Sequence, residues 1–404
     1  MVRRSLKYFL YIGFSIQIIL GIIWGVLNIS AVQPLGEFQV KMLSEKGYAG
    51  AASLIYLIQF ALALYSVGYF FVSSGIVKVG RKTAIWCAFA INTFPMIMQV
   101  HMALLPYSLL FSLTFLFFSF YAEKRPLPMC MVWILSAVVM PEYGALLLIP
   151  ALVAVIKSAD KKSVKIAMLT AVIAVSAGSL VCGGICGHRP RTVAETMYEK
   201  VAWSFYTKDS WRWMPVFYDT LGQESMETAM TDPGKVDSEI VRRSIDKMGK
   251  DEAEHWFDFY AKVALKESSN GLLPEIAKDA LGNAVSPVMM IAKFKGIGNH
   301  SYMLGNYAAM KRHTPMLTKI YVYFGLCWFP VAVAAGMICS TIMLIGKNRT
   351  LWKAGGSVFL FMILTGGMMA AWHTLTDPSG TQDYKVTTFV TSLWLIFGLC
   401  GVDE

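Results

Sequence analysis

Residues 1–29 read MVRRSLKYFLYIGFSIQIILGIIWGVLNI. Three cations, Arg3, Arg4 and Lys7, precede an apolar run from about Tyr8 to Ile29. A helix needs about 20 apolar residues to cross a bilayer, and this run supplies them. It is longer than the hydrophobic part of a secretory signal, and no small-x-small cleavage site follows it cleanly. The stretch therefore reads as an uncleaved first span with a cytoplasmic N-terminus.

Working outward, further apolar runs lie near 51–73, 83–100, 104–121, 127–140, 142–157 and 165–182. Three more follow a long polar segment, near 319–346, 354–372 and 386–400. The composition agrees with them. Of 404 residues, 56% are hydrophobic and only 15% charged, and the mean hydropathy is +0.52. A soluble domain carries about 25% charged residues. An ordinary cytosolic domain, a disordered chain and a secreted disulfide scaffold are excluded. The expected fold is an all-α polytopic membrane protein of about ten transmembrane helices with a helical extracytoplasmic cap. The runs between 83 and 157 are short for a full crossing, so they are expected to tilt or to line a protein cavity.

The net charge of +10 is a topology signal rather than a nucleic-acid one. Residues 188–315 hold 17 Lys/Arg against 17 Asp/Glu, so the long polar segment is neutral. With both termini inside, the short internal segments carry 15 basic residues and the short external ones four, Lys41, Lys46, Lys319 and Lys385. Short cytoplasmic loops are enriched in Lys and Arg. The expected organisation is a membrane bundle over 1–187 with about seven spans, an extracytoplasmic helical segment over 188–315, and about three spans over 316–404. The protein is expected in the plasma membrane, with membrane lipids around it and no nucleic-acid partner.

The external segment is dense in aromatics between Glu195 and Phe217, among them Trp203, Trp211 and Trp213. Such rings suit a membrane interface or a sugar-stacking platform. Asp237–Lys250 and Glu252–Glu267 have the apolar spacing of amphipathic helices. Two further features are expected outside. One is a tight turn around Pro141-Glu142-Tyr143-Gly144 between two short spans. The other is a last loop from His373 to Lys385.

The order of these landmarks resembles the GT-C superfamily, the polytopic glycosyltransferases that use polyprenyl-phosphate-linked sugars. Four features carry the likeness. Glu37 stands in the loop after the first span, within Gln33-Pro34-Leu35-Gly36-Glu37-Phe38. Four short spans follow as two hairpins. Pro106-Tyr107-Ser108 and Met140-Pro141-Glu142-Tyr143-Gly144 are similar to the middle hairpins of bacterial mannosyl- and arabinosyltransferase-like members. A long external segment then interrupts the spans. The likeness covers roughly residues 1–200. The family's paired acidic signature is reduced here to Glu37, with Glu45 eight residues on.

The resemblance implies transfer of a sugar from a polyprenyl-phosphate-linked donor to an acceptor of unassigned class at the outer face. That chemistry needs an ionised carboxylate within reach of the acceptor hydroxyl. Glu37 is the first candidate, held in a turn by Pro34 and Gly36. Its alternative is a solvated loop glutamate. Glu142 is the second, because an ionisable group between apolar runs is costly and tends to be functional. Its alternative is an exposed hairpin tip.

The leaving phosphate calls for cations, and Arg presents paired donors that match its oxygens. Arg189 and Arg191 form one cluster, Lys311 and Arg312 the other, with His300 nearby and His101 at the mouth of the third span. Attraction of these clusters to anionic headgroups is the alternative. His373, Asp377 and Asp383 share the last external loop and could support the acceptor or a divalent cation. Metal dependence stays open. So do two other function classes: a secondary transporter or lipid-handling protein, and a non-enzymatic member of a membrane assembly.

Overall fold

The computed structural model describes residues 2–29, 49–75, 80–102, 106–158, 160–182, 314–345, 358–369 and 384–400. All regular elements among them are helices: α1 Val2–Asn28, α2 Ala49–Ser74, α3 Arg81–Asn92, α4 Pro95–Met102, α5 Pro106–Ala122, α6 Pro126–Val139, α7 Pro141–Lys157, α8 Lys162–Cys182 and α9 Pro315–Ile345. Two more follow, α10 Val358–Met369 and α11 Tyr384–Cys400. Helices thus cover the described part of every apolar run apart from Thr93–Phe94 and Met140. Backbone groups cannot bond to water inside hydrocarbon, so a chain of this hydropathy must satisfy them along its own helices.

The outer faces are apolar. On α1, Tyr8, Ile12, Ile16, Ile19, Ile23, Val26 and Leu27 are exposed, while Gln17 and Asn28 are buried. This inverted arrangement suits lipid and would be an aggregation surface in water. By length and composition, three helices among the described residues can each cross a membrane: Arg4–Asn28, Ser53–Ser74 and Met316–Ile338. A bent pair, Arg81–Asn92 with Pro95–Met102, makes a fourth if it is one span. The remaining short apolar helices include Tyr107–Ala122 and Pro126–Val139. At 1.5 Å per residue these rise only about 21–25 Å, below a hydrocarbon thickness of about 30 Å.

Two expectations change. The run 83–100 is not one helix: α3 and α4 meet at 74°. Pro95 is the reason, since it lacks an N–H and its ring disfavours helical backbone before it. Thr93 caps α3, with its N–H on the Phe89 carbonyl at 2.9 Å and its Oγ1 on the same carbonyl at 2.7 Å. The stretch Pro141–Gly144 is not a tight turn but the first turn of α7. Only Met140, in extended backbone, separates α6 from α7. Proline fits here because the first helical N–H has no partner anyway.

Close approaches define the packing. α1 and α9 run antiparallel, because Asn28, Trp24 and Gly13 meet Thr314, Thr318 and Trp328 in turn. A Cβ on Gly13 would overlap the Trp328 ring. In the α6–α7 hairpin, Trp133 Nε1 donates to the Gly144 carbonyl at 2.8 Å. A Cβ on Gly144 would lie 2.9 Å from the Ala137 Cα. Backbone cannot yield as a side chain does, so Gly144→Ala is expected to destabilise the hairpin by about 1–3 kcal/mol. Thermal unfolding in detergent checks this, against Gly178→Ala as a control with open space around it.

Candidate functional site

The most developed polar group among the described residues surrounds the α3–α4 bend. Asn92 ends α3, His101 lies in the last turn of α4, and Ser108 lies in the first turn of α5. All three are fully buried. His101 Nε2 is 2.9 Å from Asn92 Oδ1, and His101 Nδ1 is 2.7 Å from Ser108 Oγ.

The hydrogen-bond network assigns the tautomer. Asn92 Nδ2 donates to the Ala88 carbonyl at 2.9 Å and, more weakly, to the Ala63 carbonyl at 3.4 Å. Its Oδ1 is then the acceptor facing His101, so Nε2 carries the hydrogen. Nδ1 accepts from the Ser108 hydroxyl. The imidazole is neutral in this arrangement, edged by the rings of Phe60 and Phe111 at centroid distances of 5.8 and 5.6 Å. Serine, imidazole and amide are thus linked in series, an order that also occurs in hydroxyl-activating sites. Here every polar atom in the series is partnered and none is exposed. In this conformation the group ties α3, α4 and α5 together.

The bend itself is closed by donors from elsewhere. Gln17 Nε2, from α1, donates to the Ala90 carbonyl at 2.7 Å. Tyr321 Oη, from α9, donates to the Thr93 carbonyl. Phe94 N–H bonds the Ile91 carbonyl at 3.1 Å. A helix end inside an apolar bundle leaves carbonyls that must find such partners. Trp24, Tyr56, Met98, Met102 and Tyr321 pack beside the bend as one buried cluster.

A second polar group ties the end of α1 to the start of α9. Asn28 Nδ2 donates to the Trp24 carbonyl at 2.8 Å and to Thr314 Oγ1 at 2.9 Å. Trp24 Nε1 donates to Thr318 Oγ1 at 3.0 Å. Asn28 opens a glycosylation triplet in sequence. It is buried with its amide nitrogen engaged, so it offers no acceptor in this fold.

Of the sequence candidates, His101 is fully buried in the last turn of α4, with both ring nitrogens partnered. Glu142 lies in the first turn of α7, and its side chain lies outside the described residues. So do Glu37, Arg189, Arg191, His300, Lys311, Arg312, His373, Asp377 and Asp383. Among the described residues no group of His, Cys, Asp and Glu could hold a metal ion. Sequence reading missed Asn92, Ser108, Gln17 and Tyr321. The only signal for them was that polar residues inside apolar runs need partners. No family model, no curated protein and no solved structure matches this chain.

Proposed function

We propose that the chain is a glycosyltransferase that moves a sugar from a polyprenyl-phosphate-linked donor to an acceptor at the outer face of the plasma membrane. One observation supports the reading most. The Asn28–Thr314 contact joins the end of α1 to the residue before α9. In sequence, Glu37 follows Asn28 by nine residues and Arg312 precedes Thr314 by two, so both candidates belong to the segments that leave this contact. A base and a phosphate-binding cation are what the transfer needs in one place. In this reading about ten crossings carry both termini inside, Glu142 supports the acceptor, and Arg189 and Arg191 share the phosphate load.

The bent α3–α4 pair favours a second reading, a transporter. Discontinuous spans with polar interiors are a feature of secondary transporters. Purified full-length protein in proteoliposomes separates the two. With a panel of radiolabelled polyprenyl-phosphate sugars, label is expected to leave the lipid phase for an added acceptor. Accumulation of a free solute without turnover of any lipid donor would replace the first reading by the second.

A further inference from the structure

The 74° bend between α3 and α4 allows two topologies. The pair either crosses the membrane as one broken span or dips in and returns to the same face. We infer that it is a broken crossing, clamped at its bend by α1 and α9, with its far end on the face where α1 ends and α2 begins. This goes beyond the proposed activity and does not depend on it.

Three observations carry the inference. The first is register along α1. Ala90, Thr93 and Met98 meet Gln17, Gly21 and Gly25 in that order. Eight residues of α1 correspond to about 12 Å of rise. The chain therefore keeps climbing α1 through the bend, whereas a returning loop would meet lower positions again. The α1 contacts are also specialised for it. A Cβ on Gly21 would lie 2.7 Å from Thr93 Cβ, and one on Gly25 would overlap the end of the Met98 side chain.

The second is closure of the neighbouring helices. Tyr69, near the end of α2, donates to Glu123, just past α5, at 2.6 Å. The ends of α2 and α5 therefore share a face. The end of α2 is also where the chain turns into α3, seven residues from Ser74 to Arg81. At the opposite end, Ser53 in α2 bonds the Ile29 carbonyl at 3.0 Å. α5 runs in the same direction as α2 toward Glu123: His101 links Phe60 of α2 to Phe111 of α5, and Phe70 further along α2 meets Phe115. Since α5 begins four residues after α4 ends, α4 must end on the face where α3 did not begin.

The third is charge. Lys78 precedes α3, Arg81 and Lys82 open it, and Lys124 and Arg125 follow α5. A crossing by α3–α4 and a return by α5 put all five cations on one face, as short cytoplasmic loops require. A dip and return would split them between the two faces. The donors from Gln17 and Tyr321 explain how a break can exist inside apolar surroundings at all. They satisfy the carbonyls that the bend removes from helical pairing.

The test uses the full chain in sealed, oriented vesicles with a membrane-impermeant maleimide. Single cysteines replace Glu45, Lys78 and Ala103 in a background without native cysteine. Ala103→Cys is expected to react from the same side as Glu45→Cys, with Lys78→Cys reacting only after permeabilisation or from the opposite side. Reaction of Ala103→Cys from the side of Lys78→Cys would overturn the crossing. Should Ala103→Cys react from neither side, an epitope inserted between Leu104 and Leu105 decides by protease access. Cleavage from the side of residue 45 supports the inference, and cleavage from the side of residue 78 removes it.

Discussion

Glu37→Gln is expected to lower sugar transfer by about 100-fold or more while donor binding and folding stay near normal. Attack on an anomeric carbon frees a proton from the acceptor hydroxyl, and a carboxylate in hydrogen-bond reach takes it. Glutamine keeps the size and most hydrogen bonds of glutamate but has no basic oxygen. The loss therefore belongs to the rate and not to KM, about 2.7 kcal/mol of barrier for 100-fold. Glu45→Gln is the control, since that residue stands among Lys41, Ser44 and Lys46 and is expected to change little. Single-turnover transfer from a lipid-linked donor reads the effect. Full activity in Glu37→Gln would pass the role of base to Glu142 and remove the main chemical support for the transferase reading.

His101→Leu is expected to destabilise the bundle by about 2–4 kcal/mol. It leaves Asn92 Oδ1 and the Ser108 hydroxyl buried without the imidazole. An unsatisfied buried group costs about 1–3 kcal/mol. Hydrogen bonds between membrane helices average nearer 0.6 kcal/mol, because the separated helices also find partners. The estimate therefore rests on two lost contacts plus the changed shape against Phe60 and Phe111. Adding Ser108→Ala removes one orphaned group, so the double variant should lose less than the sum of the single ones. Unfolding in mixed detergent micelles completes the cycle. An unchanged midpoint for His101→Leu would show that the series Asn92–His101–Ser108 does not hold the bend. A stable His101→Leu protein that has lost transfer or transport would instead make the imidazole part of the working site.

The two predictions differ in how far each could be read from sequence. Glu37 is singled out by its place after the first span and by Pro34 and Gly36 beside it, all local features. His101 is legible as a histidine at the mouth of the third span, but its partners are not. Its partners lie nine residues before it and seven after it. Neither spacing is a neighbour relation on a straight helix, where positions three and four apart meet. They meet here because the chain bends at Thr93–Phe94 and the end of α4 packs against the start of α5. Pro95 and Pro106 signal interruptions, but not the direction the chain takes after them.

What the sequence determined by itself is the material of the fold: helices over the apolar runs, an apolar exterior and a charge pattern across short loops. These follow from the composition of each run of about 20 residues, because a backbone in hydrocarbon must bond to itself wherever it lies. Only the tertiary structure decided which helices touch. The Asn28–Thr314 and Gly13–Trp328 contacts join α1 to α9 across most of the chain. The carbonyls of the α3 end find Gln17 and Tyr321. Inside lipid, one apolar face is as good as another for burial, so partner choice passes to small residues that allow close approach and to buried polar atoms that need a complement. Those are relations between distant positions, and no local pattern in the chain encodes them.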